Sequence, residues 1–541
     1  MKKVLLNVFV AVSAAFLLVS CGEKSKTPDE QFKSVVSTSV MDTTKKVASG
    51  VNEAFSQIDF SNYGADSTIS ISLDKNSADL IRGIFTSAVP GVKIDWLNSM
   101  QLSTKASIKD KSMAFSLGLG VNEVNIITLE CLEDLENAVI YFHVPELLKE
   151  HFKLDAAQAG GASVKELLKI YLAEFEFLKA APKKEVFTGF VEELLNAVLT
   201  DVSGVERSTE NVKAGLNSSK TVAVDYTALD FKITPEYAKK ASENIEKTIN
   251  SSKNLRTIVE WVLTFATAVD PSTSSTSADE IISSIAEGLA EGVDSLADIE
   301  NTVITVYADS KSNFRGAKLT AGDDGYAQYI FALNGKEFGY NVSATEKYGS
   351  SESEIFSVKG YGSYAGGKTT GDFAVFSEEE ELFSFSTDNL DVEGLKNLKC
   401  NGSVTVRLTD DVRKQLKREL RYSVDSSVLS LIDNIAFTLD MNQKSLKEAE
   451  TTLSIGDGDK TKYASLKVNA KIRAADKVKV PADAVDVLTL NENDALEYVK
   501  KIETQNVIDS LKKAKVDEEY VELLSQFSGE SLAQMLQGYG L

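Results

Sequence analysis

Histidine, cysteine and positive charge are all scarce in this chain. Only two histidines occur in 541 residues, His143 and His151. Zinc peptidases need a His pair one helical turn apart with a Glu between them, whereas Pro145 and a wider gap separate these two. A Ser-His-Asp hydrolase has as little to draw on, and no Gly-x-Ser-x-Gly turn is found. Lys and Arg number 58 against 80 Asp and Glu, a formal net charge of -22. That balance repels phosphate backbones, so nucleic acid is not an expected partner. It also disfavours broad contact of the body with anionic headgroups, and reads first as a solvated surface. Long apolar runs are absent except from Val4 to Val19, which is too short for a comfortable membrane-spanning helix. The chain is nevertheless 43% hydrophobic and 26% charged, which argues for folded domains rather than disorder.

The exceptional apolar run follows Lys2 and Lys3 and ends in Leu18-Val19-Ser20-Cys21, the layout of a secretory signal peptide. The four residues resemble the lipobox of bacterial lipoproteins, Leu-x-small-Cys. The resemblance implies a diacylglycerol on the Cys21 sulfur, cleavage before Cys21 and an acylated new amino group. Several acyl chains at ~0.8 kcal/mol per buried CH₂ hold a protein firmly on a bilayer. Residues 1–20 are then the signal and 21–30 a polar tether, placing the body on the outer side of a bacterial cell membrane. Cys131 and Cys400 remain; an oxidising compartment permits a disulfide between them, and buried thiols fit their apolar contexts equally.

Along the body, Phe32 to Ile58 carries apolar residues at helical spacing, a stalk or docking helix. Ile69, Ile71 and Leu73 alternate with serines, a strand with one buried face. Short strands are expected from about Lys93 to His143. Ser163-Val164-Lys165-Glu166 forms a capping box ahead of an apolar stripe. A second apolar helix through Phe187 and Leu195, and a strand pair near Val222, come next. Thr234-Pro235 starts another helix that leads to Trp261 and Phe265. Asp270 to Ser275 reads as a linker and Ser277 to Glu280 as a further cap. Thr302 to Thr387 has the texture of a β-meander, with Asn334-Gly335 its strongest hairpin signal. Ser403 to Arg473 repeats the pattern of Thr68 onward: strand, helix (Asp79–Phe85; Asp411–Leu420), hairpin. Pro481 ends the sheet and Asn491 caps a helical tail. The expected division is 31–270, 277–480 and a tail 481–541.

Motifs for chemistry are few. Gly362 to Thr369 matches a Walker A pattern, yet Thr370 to Phe376 alternates like a strand where a P-loop requires a helix, so a Gly-rich hairpin is expected. Asp323-Asp324-Gly325 and Asp457-Gly458-Asp459 lack EF-hand spacing and read as turns. No cofactor, metal or catalytic residue is assigned. A carboxylate pair for glycoside cleavage needs no sequence motif, which leaves a hydrolase as a distant alternative.

Helices grouped apart from runs of strands give an α+β class. The expected form is one or two long curved antiparallel sheets with helices packed on one face. In outline this is similar to periplasmic lipid- and lipoprotein-carrier folds. That resemblance implies a non-enzymatic protein holding an apolar small molecule or lipidated protein partner between sheet and helices. The competing expectation is a structural or host-facing surface protein.

Overall fold

The computed structural model describes residues 27–538 apart from 58–61, 74–93, 110–111, 135, 156–157, 159–172, 174–176, 271–272, 274, 300, 323, 350, 423–428, 430–431, 459–460 and 478. The leader with Cys21, the Ser163 capping box and the Asp79–Phe85 stretch therefore lie outside the described residues. Helix α1 (Pro28–Gln57) precedes β1 (Asn62–Leu73), β2 (Ser99–Lys109), β3 (Ser112–Val121), β4 (Val124–Asp134), β5 (Val139–His143) and β6 (Phe152–Asp155). Helix α2 (Lys184–Leu199), β7 (Glu206–Gly215) and β8 (Thr221–Lys232) lead to α3 (Pro235–Ser251), α4 (Lys253–Val269) and α5 (Ala278–Asp294). A meander runs through β9 (Thr302–Ala308), β10 (Phe314–Ala321), β11 (Gly325–Asn334), β12 (Glu337–Tyr348), β13 (Ser351–Ala365), β14 (Lys368–Ser377) and β15 (Glu380–Asp391). Then come α6 (Val392–Lys396), β16 (Asn401–Leu408), α7 (Asp410–Leu420), β17 (Ala436–Ser445), β18 (Glu448–Gly456), β19 (Lys462–Arg473) and β20 (Val485–Asp486). Helices α8 (Glu492–Lys500), α9 (Gln505–Lys513), α10 (Glu518–Ser525) and α11 (Gly529–Gly538) complete the chain. The class is α+β, with antiparallel sheets and helices.

These elements sort into two compact units, residues 1–55 with 176–412 and residues 56–175 with 413–541. The division is interleaved, where the sequence suggested consecutive bodies. The physical reason is long-range pairing: β1 lies against β19, and β20 against β6. No linker composition announces such contacts.

In the first unit, β7 to β16 pair in chain order, each antiparallel to the next. The sheet curls. Tyr226 on β8 donates its hydroxyl to the Phe331 carbonyl of β11 at 3.2 Å and accepts from the Leu333 N–H at 2.8 Å, across two intervening strands. One sheet face packs on itself through this curl, around Val212, Tyr226, Tyr307 and Ile330. The other face is closed by α1, whose Phe32, Val35 and Val36 pack on Leu229, Phe231, Val306 and Tyr329. Each such side chain taken from water contributes about 1.5–3 kcal/mol. Asp29 pins the helix start by accepting from the Val205 N–H at 2.7 Å, and Lys46 reaches Glu393 of α6 at 3.1 Å. The docking-helix expectation thus holds. Helices α2 to α5 gather around Ile249, Leu255 and Ile282, and Trp261 stacks on Phe177 at 4.1 Å between ring centroids. Trp261 and Phe265, both half-buried, pack on Phe177.

In the second unit the strand order is β17–β18–β19–β1–β2–β3–β4–β5–β6–β20, antiparallel except for β20 on β6. Pro481 does not end this sheet, because β20 follows it. Helices α9 and α10 and the turn between them carry Ile508, Val521 and Val516 onto Trp96, Val124 and Ile126. Asn122 at the β3–β4 turn ties the unit together: its amide donates to the carbonyls of Trp96 and Ala514, both at 2.7 Å. Strand β16, helix α7 and the β17–β18 hairpin follow the strand–helix–hairpin order expected from Ser403; the helix expected in the earlier copy, Asp79–Phe85, lies outside the described residues, between β1 and β2.

Candidate functional site

Cross-strand partners share a sheet face, so the register sorts the second unit's side chains onto two sides. Ile69 and Ile71 of β1 face Leu102 and Met100 of β2, and Val468 and Leu466 of β19. Leu102 continues to Leu119 on β3, and Leu117 to Leu129 on β4. Outward from β19 the line runs through Leu453 to Leu439. At the other side it passes from Cys131 to Phe142 and Phe152. The opposite side of the same strands pairs Asp66 with Lys105, Thr68 with Ser103 and Ser70 with Gln101. Strand spacing of ~4.8 Å makes the apolar side about 40 Å wide along the sheet.

That apolar side is open. Met100 is 56% exposed, Ile71 53% and Leu119 52%, with Ile69, Phe115, Leu129 and Leu453 also exposed. The strand expected at Ile69–Leu73 is present, but its apolar side is not buried as alternation suggested. An antiparallel sheet normally covers its apolar side and wets the polar one. Contiguous exposed apolar surface of this extent marks a place where something else binds.

The polar side carries a cleft of about 320 Å³, floored by β2 to β5 and walled by Asp476, Lys477, Lys479 and Pro481. His143 and His151 meet there, their rings stacked with centroids 4.2 Å apart. His143 Nδ1 lies 3.0 Å from Glu130 Oε2, and its Nε2 lies 2.9 Å from the Leu148 carbonyl oxygen. Both oxygens accept, so both bonds form together when each ring nitrogen carries a proton. Burial and the His143 charge hold His151 below the usual imidazole range, while Glu130 pulls the other way. Burial, then Glu133, pushes the nearby Cys131 thiol up, which keeps it protonated and a poor nucleophile. Sequence spacing gave no hint of the His–His stack, because the β5–β6 pairing creates it.

The other sequence candidates resolve into structure. Gly366-Gly367, both at positive φ, turns β13 into β14, so the Walker-like stretch is a hairpin. Its Gly367 carbonyl accepts from the N–H groups of Val392 and Glu393, capping α6. Cys131 and Cys400 form no disulfide with each other. Asp457 Oδ1 accepts from the Thr461 N–H in a turn, while Asp323 and Asp459 lie outside the described residues. Among the described residues no group of three His, Cys, Asp or Glu side chains is placed to hold a metal, and no helix is long and apolar enough to cross a membrane. No family model matches the chain, and no curated protein matches it.

Proposed function

We propose that the protein is a lipid-anchored, extracytoplasmic bacterial lipoprotein of non-enzymatic type that receives an apolar ligand or lipidated partner on the open apolar side of its second unit. The observation that carries this reading is the unbroken apolar side from β17 to β6, with side chains more than half exposed at its centre. Acyl chains satisfy such a surface without polar complementarity. The Leu18-Val19-Ser20-Cys21 stretch supports attachment through Cys21, which leaves the body beside a bilayer that supplies such chains. The test is mass spectrometry of an organic extract of the body from Pro28 onward, produced without its leader and Cys21 and purified without detergent. A stoichiometric lipid is the expected result; a clean extract from folded protein overturns ligand carriage. Labelled palmitate entering the full chain, and failing to enter Cys21→Ser, checks the anchor.

The width of the same surface supports a second reading, a surface protein that docks another protein there. Protease access on intact cells, with a clean organic extract, is the result that selects it.

A further inference from the structure

We propose that the His143–His151 cleft is a binding site for a phosphate group carried on a small organic body. The inference stands on side chains separate from the apolar surface, and it holds whether or not that surface carries lipid. Three lysines line the cleft: Lys105 on β2, and Lys477 and Lys479 on the wall. Among the described residues none of the three forms an ion pair, although Lys105 stands opposite Asp66 across the β1–β2 pair and, after Arg473, helps to lower its pKa. Asp66 is itself held by Arg473 at 2.8 Å. The two carboxylates of the cleft are already engaged. Glu130 faces His143, and Asp476 is held by Arg473 at 2.8 Å and by Ser107. The cleft is therefore locally cationic in a chain whose net charge is -22.

This local sign matters for a small anion more than the global one does. Charges beyond a Debye length of ~8 Å are largely screened, so the nearest groups decide. An extended polyanion samples the whole negative surface and is repelled; a single phosphate in the cleft samples first the lysines that line it. Among the described residues no arginine lines the cleft, so the flat two-pronged grip that suits a carboxylate is not offered there. Lysines act as point charges and are a common phosphate binder. At about 320 Å³ the space exceeds what an inorganic ion needs, and stands at the small end of organic-ligand pockets. Leu132, Tyr141 and Pro481 offer apolar contact to the rest of such a molecule.

The chain's only two histidines both line this cleft, which makes a clean probe. The full chain, labelled on histidine and held in a non-ionic detergent, gives two imidazole resonances by NMR. Titration with glycerol 3-phosphate is expected to shift both saturably, and Lys477→Gln/Lys479→Gln to weaken binding about tenfold. Those lysines are exposed, so the double variant keeps its fold. Phosphatidic acid doped into the micelles, against phosphatidylcholine, forms the second arm. A shift with glycerol 3-phosphate assigns a free phosphoester; a shift confined to phosphatidic acid assigns a lipid headgroup. Resonances that stay still in both arms, or move equally in the double variant, overturn the site.

Discussion

At the scale of single residues, the turns show how much a backbone angle can cost. Glu378 and Glu379 form the two-residue turn between β14 and β15 with φ of 51° and 69°. Turns of this hand favour Asn-Gly, because the second position is left-handed and penalises a Cβ. Four consecutive glutamates, Glu378 to Glu381, add like-charge repulsion. Glu379→Gly is expected to stabilise the protein by about 0.5–1 kcal/mol, read as a higher urea midpoint. The opposite lesson comes from Asp309. Its carboxylate accepts from Arg315 Nη2 at 2.7 Å and from Asn313, and Arg315 is almost wholly buried. Burial works to raise the Asp309 pKa, but the bonds from Asn313 and Arg315 outweigh it and leave it below its ordinary 3.8. A carboxyl lowered in the folded state adds stability above its unfolded pKa, and that stability is lost as pH falls through the folded value. Asp309→Ala is expected to cost about 3 kcal/mol by stranding Arg315, and to flatten the loss of stability below about pH 4. Adding Arg315→Met should recover most of the cost; if it does not, the pair is not what holds this loop. Residue-level signals were partly legible in the chain. Gly366-Gly367 announced its hairpin, and Asn334-Gly335 announced another, although the turn itself is Gly335-Lys336 because Asn334 still pairs with Glu337. Arg315 gave no signal, since its partner lies across a loop.

At the scale of elements, local rules were read well wherever the deciding contact is itself local. Ser277 and Glu280 form their capping box, Asn491 and Asp494 another, and Thr234 caps a helix with Pro235 at its first position. Each cap needs only residues three apart in sequence. Strand burial fails the same test, because whether Ile71 is covered depends on what lies above the sheet. The curl of the first unit is also set by distant contact. An added Cβ on Gly339 of β12 would stand 1.9 Å from the Ala214 carbonyl oxygen of β7, a backbone atom that cannot swing aside. Gly339→Ala is expected to cost about 1–3 kcal/mol by forcing β7 and β12 apart. Gly335→Ala, with open space around its Cβ but φ of +61°, isolates the backbone-angle effect for comparison. Equal and small losses in both variants, measured by thermal unfolding, would mean that the strands tolerate separation.

At the scale of the whole molecule, two units built from the same materials differ in how they finish their sheets. The first covers one side with α1 and the other by curling, so its apolar groups are inside. The second keeps an apolar side in water, at ~25 cal/mol for each Å² left exposed. A partner that binds this side stabilises the second unit by RT ln(1 + [L]/Kd), ~2.7 kcal/mol at a hundredfold excess over Kd. Native-state hydrogen exchange can follow each unit separately through its own peptides. Amides of β1 to β4 are expected to exchange faster than those of β9 to β12 in plain buffer. Micelles of a non-ionic detergent should slow the first group and leave the second unchanged. Ile71→Lys/Leu119→Lys should abolish the protection at little cost to the fold, because both side chains are more than half exposed already. Protection that persists in the double variant places the contact elsewhere. Exchange that is equally slow in both units without detergent means that the apolar side is already covered, and the binding surface proposed for it does not exist.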